Sequence, residues 1–217
     1  MKRAVIFDFD GTIADSFATV IAIAHKLTRR PQLADIEYVK VMRNKHMGLK
    51  HAVLSLNIPR WHLPWLVSRG RRIMSQNIHV IPVFSGIGEV LKKLNQEHYQ
   101  LFIVTSNSKR NVERFLSEKG LQPYFKKVYG GASLFGKGRL IKKVLSDNSL
   151  KPDSAIYVGD EDRDIVMAQQ YNLPVIGVTW GYNSEDLLRK HQPTDIVRTP
   201  NQLFDAILAL NNNSNLK

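Results

Sequence analysis

The sequence predicts an α/β fold: a Rossmann-like parallel sheet with helices on both faces, and a small α-helical cap inserted after the first strand. Three observations carry this. Short, nearly all-apolar runs alternate with amphipathic helical stretches, as strands buried on both faces require. Several of those runs end in polar or acidic residues that a core alone does not need. The segment 15–80 shows helical spacing and no alternating strand pattern, and it is long for a loop.

In chain order, Ala4–Phe7 reads as a buried strand that runs straight into Asp8, Asp10 and Gly11. Asp15 or Ser16 can cap a helix reaching Leu27, and further short helices are expected at Val39–Met42, His51–Leu56 and Trp61–Ile73. Trp61 and Trp65 read as packing residues of this segment. Past the turn at Pro82–Gly86 come a helix over Gly88–Gln96 and a strand over Leu101–Val104, which ends in Thr105, Ser106, Asn107 and Ser108. A helix over Asn111–Lys119 stops at Gly120, and Tyr124–Gly130 gives a short strand. Gly136-Lys137-Gly138 opens the helix Arg139–Leu145. The strand Ala155–Val158 ends in Gly159-Asp160-Glu161-Asp162-Arg163-Asp164, and the helix Ile165–Tyr171, the strand Pro174–Val178 and the helix Gln202–Leu210 follow. These elements divide the chain into an α/β core over 1–14 and 81–210, the helical cap over 15–80, and a disordered polar tail over 211–217.

Ligands of parallel α/β sheets sit at the carboxyl ends of the strands. The residues there are Asp8 and Asp10, Thr105 to Asn107, and Asp160 and Asp164. Buried carboxylates are costly unless paired or metal-bound. If the first strand continued, Asp8 and Asp10 would share a face, and two like charges side by side call for a cation; carboxylate oxygens suit Mg²⁺. A turn closed by an Asp pair and Gly11 accounts for the same residues more blandly. Likewise, the acids after Gly159 suit a helix N-terminus whether or not they bind metal.

The 217 residues contain no cysteine, which excludes disulfides, thiol catalysis and thiolate metal sites and makes a reducing cytoplasm the expected location. Met1-Lys2-Arg3 leads at once into a strand, so no signal peptide is expected, and no apolar run is long enough for a membrane span. The net charge is +12, and residues 15–80 hold eleven Lys and Arg against three acids. That excess points to anionic partners. Arg43, Lys45 and His46, near Gly48, are the candidates for reading an anionic part of a substrate. Arg29-Arg30 and Arg69/Arg71/Arg72 read as surface runs that could touch nucleic acid, although no nucleic-acid motif accompanies them.

Asp8-Phe9-Asp10-Gly11-Thr12 resembles the first motif of the haloacid dehalogenase-like hydrolase superfamily, and the likeness extends from Arg3 to about Val197. The resemblance implies that Asp8 is a nucleophile that becomes phosphorylated and Asp10 a general acid/base. Thr105 is similar to the second motif, a hydroxyl that donates to a phosphoryl oxygen, with the Ser106 and Asn107 amides forming an anion-binding helix start. Lys137 is chosen for the third motif, a cation facing the phosphoryl group, with Lys126, Lys127, Lys142 and Lys143 as rivals. Asp160 and Asp164 resemble the fourth. A Mg²⁺ ion would be held by Asp8, Asp160 and the Asp10 carbonyl, with Asp164 direct or one shell out. The implied activity is a phosphatase acting on a small phosphorylated metabolite, of phosphoglycolate-like or sugar-phosphate type. A phosphomutase on the same core, or a basic protein binding nucleic acid or a partner, are the alternatives.

Overall fold

The computed structural model describes residues 3–28, 63–131 and 136–214. Six strands form one sheet: β1 (Ala4–Phe7), β2 (Gln100–Val104), β3 (Phe125–Tyr129), β4 (Ala155–Gly159), β5 (Val175–Val178) and β6 (Asp195–Val197), in the order β3-β2-β1-β4-β5-β6. Every pairing is parallel. The chain builds outward from β1 to β3 on one side, then returns to place β4 against the other side of β1. This reversal leaves a crevice at the carboxyl ends of β1 and β4, where such sheets bind ligands.

The strands are apolar on both faces because both are covered. Val5 and Phe7 join one core cluster with Leu91, Phe115 and Leu203, whereas Ala4 and Ile6 join the other with Ile141, Tyr157 and Ile165. The first face is covered by α3 (Ile87–Gln96), α4 (Lys109–Glu118) and α8 (Pro200–Ser214); the second by α5 (Lys137–Asn148) and α6 (Asp162–Gln170). Period-two alternation thus divides each strand between two cores.

Between β1 and α3 the described residues form α1 (Phe17–Thr28) and α2 (Leu63–Asn77), and Ile23 and Met74 from these helices join the first cluster. The two passages to this pair run side by side: Asp15 N–H donates to Pro82 O at 2.9 Å and Phe84 N–H to Ile13 O at 3.1 Å. Trp65 is 55% exposed, not packed, while Met74 on the same helix turns inward. The expected helices at 39–42 and 51–56, Trp61, and Arg29-Arg30 lie outside the described residues.

Two short elements escaped sequence reading, the strand β6 and the five-residue helix α7 (Glu185–Arg189). The final helix carries on through Ser214, so Asn211–Ser214 are helical and the expected tail does not begin at 211. Leu208 and Leu210 still pack on the first core, and adding residues to an anchored helix costs little. Residues 215–217 lie outside the described set. Among the described residues, no helix is long and apolar enough to cross a membrane.

Candidate active site

Asp8 lies one residue past β1, where its amide still donates to Val158 O of β4 at 2.8 Å. Its side chain is buried and both oxygens are held: Oδ1 accepts from the Phe9 amide at 2.7 Å and Oδ2 meets Lys137 Nζ at 2.6 Å. Lys137 is the first residue of α5, where the helix dipole disfavours a cation. It is nevertheless buried, because Asp164 Oδ1 lies 2.9 Å from the same nitrogen. Burial works against the charged amine, yet Asp164 and Asp8 outweigh it and hold Lys137 above its ordinary pKa. The rival lysines are elsewhere: Lys127 and Lys143 pair with Asp147, Lys126 bonds Gln100, and Lys142 is exposed.

Asp160, at the end of β4, is fully buried. Its Oδ1 accepts from Thr12 Oγ1 at 2.7 Å and its Oδ2 from the Tyr182 amide at 2.8 Å. Gly11 and Gly181 make room for it, since a Cβ on either would run into the Asp160 carboxylate. Gly11 also turns the chain at φ +85°. Gly181→Ala is therefore expected to displace Asp160 and lower the melting temperature by about 2–10 °C, checked by thermal unfolding.

Oxygens of Asp8, Asp160 and Asp164 lie within 4.8 Å of one another. Around them, five carboxyl groups (those three, Asp10 and Glu161) face two cations, Lys137 and Arg163. Burial pushes the Asp8 carboxyl well above its ordinary value, with Lys137 opposing and Asp164 and Asp160 adding to the rise. Burial, then the charges of Glu161 and Asp164, push Asp160 up to about 8. An excess of hard oxygen donors that repel one another fits a divalent cation of the Mg²⁺ type.

The acids after Gly159 sort by partner. Glu161 and Asp164 close a reciprocal capping box on α6, Glu161 also pairs with Arg163 at 2.6 Å, and Asp162 accepts from the Arg163 amide and from Asn183. Glu161, Asp162 and Asp164 serve the helix start, and Asp160 and Asp164 also face the carboxylate cluster.

The strand ends at Phe7, so the condition for a face shared with Asp8 is not met by Asp10. Its Oδ1 accepts from Ser16 Oγ at 2.8 Å and its Oδ2 from Asn107 Nδ2 at 3.1 Å. Burial raises its pKa against those two hydrogen bonds. Ser16 Oγ also lies 2.6 Å from the Tyr182 hydroxyl, whose own pKa burial and Asp10 hold well above the usual value.

Thr105 is buried at the end of β2 and its Oγ1 accepts from the Asn107 amide at 2.9 Å. Asn107 thus bonds Thr105 through its amide and Asp10 through its side chain. Ser106 Oγ is buried with no partner among the described residues. Arg43, Lys45 and His46 lie outside the described residues. Arg71, read as part of a surface run, instead reaches the core: its Nη2 donates to Ser106 O at 2.6 Å, and its carbonyl accepts from Asn111 Nδ2 at 3.2 Å. Trp180 braces the site from behind, donating to Thr12 O at 3.1 Å and packing near Phe84. The sequence offers Thr12 as the end of the Asp8–Thr12 motif, Ser16 as a helix cap and Trp180-Gly181-Tyr182 as either site rim or core; the pairings of Thr12 with Asp160 and of Ser16 with Tyr182 had no signal there, because they join distant segments.

A family model described as haloacid dehalogenase-like hydrolase matches residues 5–178. A phosphoglycolate phosphatase from Synechococcus elongatus is 31% identical over 208 residues, covering 96% of this chain and 98% of its own. A 5'-nucleotidase from Pseudomonas aeruginosa is 27% identical over 206 residues, 88% of each chain. Among solved structures, a predicted phosphatase from Clostridium acetobutylicum superposes with a TM-score of 0.82 at 26% identity, over 96% of this chain and 99% of its own.

Proposed function

The chain belongs to the haloacid dehalogenase-like hydrolase family, and from that premise we propose that it hydrolyses the phosphate monoester of a small metabolite through an aspartyl-phosphate on Asp8. One observation carries this reading: a buried carboxylate at the sheet crevice is paired with Lys137 and faced by two further acids. A family member named for phosphoglycolate makes a short phosphorylated acid the first ester to test, followed by sugar phosphates and nucleoside monophosphates.

In this reaction an Asp8 oxygen attacks phosphorus and the ester P–O bond breaks. Asp10 gives its proton to the departing alkoxide. Water then attacks the aspartyl-phosphate, losing a proton to Asp10 as the bond to Asp8 opens. The Thr105 hydroxyl and Ser106 amide receive phosphoryl oxygens, and Lys137 stands against the charge that develops on them. Asp8, Asp160 and the Asp10 carbonyl would hold Mg²⁺, with Asp164 steadying Lys137; the ion supplies charge neutralisation at the phosphoryl group. We read the segment 15–80 as the substrate-selecting cap; of its described residues, Arg71 on α2 bonds the loop after β2. We read the enzyme as cytoplasmic; a chain without cysteine is compatible with a reducing compartment.

The test is phosphate release from a panel of esters with Mg²⁺ and with EDTA. Release is expected to stop in EDTA and return with Mg²⁺. Steady release in EDTA contradicts the metal assignment. Binding should also stabilise the fold: at a hundred times its dissociation constant an ion contributes about 2.7 kcal/mol. For a chain of this size that raises the melting temperature by about 5–10 °C. Asp160→Asn is expected to lose most of this increment.

A further inference from the structure

We propose that Tyr182 is a positioning residue for Asp10, acting through Ser16, so that the loop after β5 helps set the proton donor of the reaction. This rests on the phosphatase reading above, in which Asp10 protonates the leaving group. Ser16 Oγ lies 2.8 Å from Asp10 Oδ1 and 2.6 Å from the Tyr182 hydroxyl. A serine hydroxyl has a single proton. Given to Asp10, it leaves the serine oxygen as acceptor, so Tyr182 must be the donor. The chain therefore has a direction, from Tyr182 to Ser16 to Asp10, and each bond polarises the next.

The surroundings leave this chain little freedom. Ser16 is fully buried and Tyr182 is 3% exposed. The tyrosine ring packs at 5.6 Å against Phe17, the first residue of α1, and Asn107 holds the other Asp10 oxygen. The amide of Tyr182 bonds Asp160 Oδ2 at 2.8 Å. One residue thus links to two carboxylates by separate groups, to Asp160 directly through its backbone amide and to Asp10 through its hydroxyl and Ser16. Displacement of a reacting group by an ångström can cost about a hundredfold in rate, so such bracing matters to a proton donor.

Tyr182→Phe separates this role from packing, because it keeps the ring and the backbone amide and removes only the hydroxyl. The experiment compares kcat/KM for the best alkyl phosphate and for p-nitrophenyl phosphate, at saturating Mg²⁺, in the parent, Tyr182→Phe, Ser16→Ala and the double variant. This parameter ends at leaving-group departure, where an alkoxide needs a proton and nitrophenolate does not. Tyr182→Phe and Ser16→Ala are each expected to lower the alkyl value about tenfold and the nitrophenyl value less than about twofold. The double variant should be no worse than Ser16→Ala, since both act along one path. Should Ser16→Ala not fold, the ester ratio of Tyr182→Phe decides alone. Equal losses on both esters, additive losses, or no loss from Tyr182→Phe in an active background overturn the relay. A parent that releases phosphate from no ester overturns the phosphatase reading and the relay with it.

Discussion

Asp8→Asn is expected to fold and to release phosphate about 10⁴-fold more slowly than the parent, or not at all. The neutral amide oxygen is a poor nucleophile and leaves no carboxylate to phosphorylate. Its effect on stability should be small or favourable. Burial is what raises the Asp8 carboxyl most, so the fold bears a cost for its charge that an amide removes. Lys137 keeps Asp164 as a partner at 2.9 Å, so no cation is stranded. Loss of activity with a melting temperature equal to or above the parent's is the expected pair of results. Loss of activity through unfolding would not support the assignment, and an active Asp8→Asn protein would defeat it.

Lys137→Met is expected to be the most damaging single change to stability. The lysine side chain is 5% exposed and lies between Asp8 and Asp164, so its removal leaves two buried carboxylates facing each other. Breaking a buried pair from one side costs about 3–5 kcal/mol. In a chain of this length that is a fall in melting temperature of about 10 °C. Turnover should fall at least about a hundredfold in protein that remains folded, because the lysine charge no longer opposes the charge that develops on the phosphoryl group. Lys143→Met is the control. Its partner Asp147 lies at 3.5 Å on the surface, with the lysine side chain 58% exposed, so melting and turnover should both stay at the parent's values.

Much of this site was legible because its residues follow strands with a plain signature. Ala4–Phe7, Leu101–Val104 and Ala155–Val158 are apolar throughout, and each hands over directly to the side chains that meet in the crevice. Lys137 could be chosen over its rivals by its place between two glycines, and its burial then sets it apart from them. What stayed hidden depends on contacts between segments remote in sequence. Thr12 reaches Asp160 and Ser16 reaches Tyr182 across more than a hundred residues, and no local period marks such pairs. The orientation of Asp10 was not legible because a period of two applies only while the strand goes on; it stops at Phe7 and turns at Gly11. β6 was missed because three residues with Asp195 exposed and Ile196 half-buried carry too little alternation to read. Arg71 looked like one of a surface trio, yet Arg69 and Arg72 are exposed while Arg71 alone bonds the loop after β2.

The most direct test of the central claim is to look for the phosphoryl group on Asp8 itself. The parent and Asp10→Asn are mixed with p-nitrophenyl phosphate and Mg²⁺, quenched in acid within a turnover, digested, and the peptides weighed. Asp10→Asn is included because a protein lacking the base for the second step should accumulate the first product. The account predicts one phosphoryl group on the peptide that contains Asp8, labile to hydroxylamine and absent from Asp8→Asn. Release of nitrophenol with no phosphorylated peptide in either protein, or with the group on another residue, would contradict it.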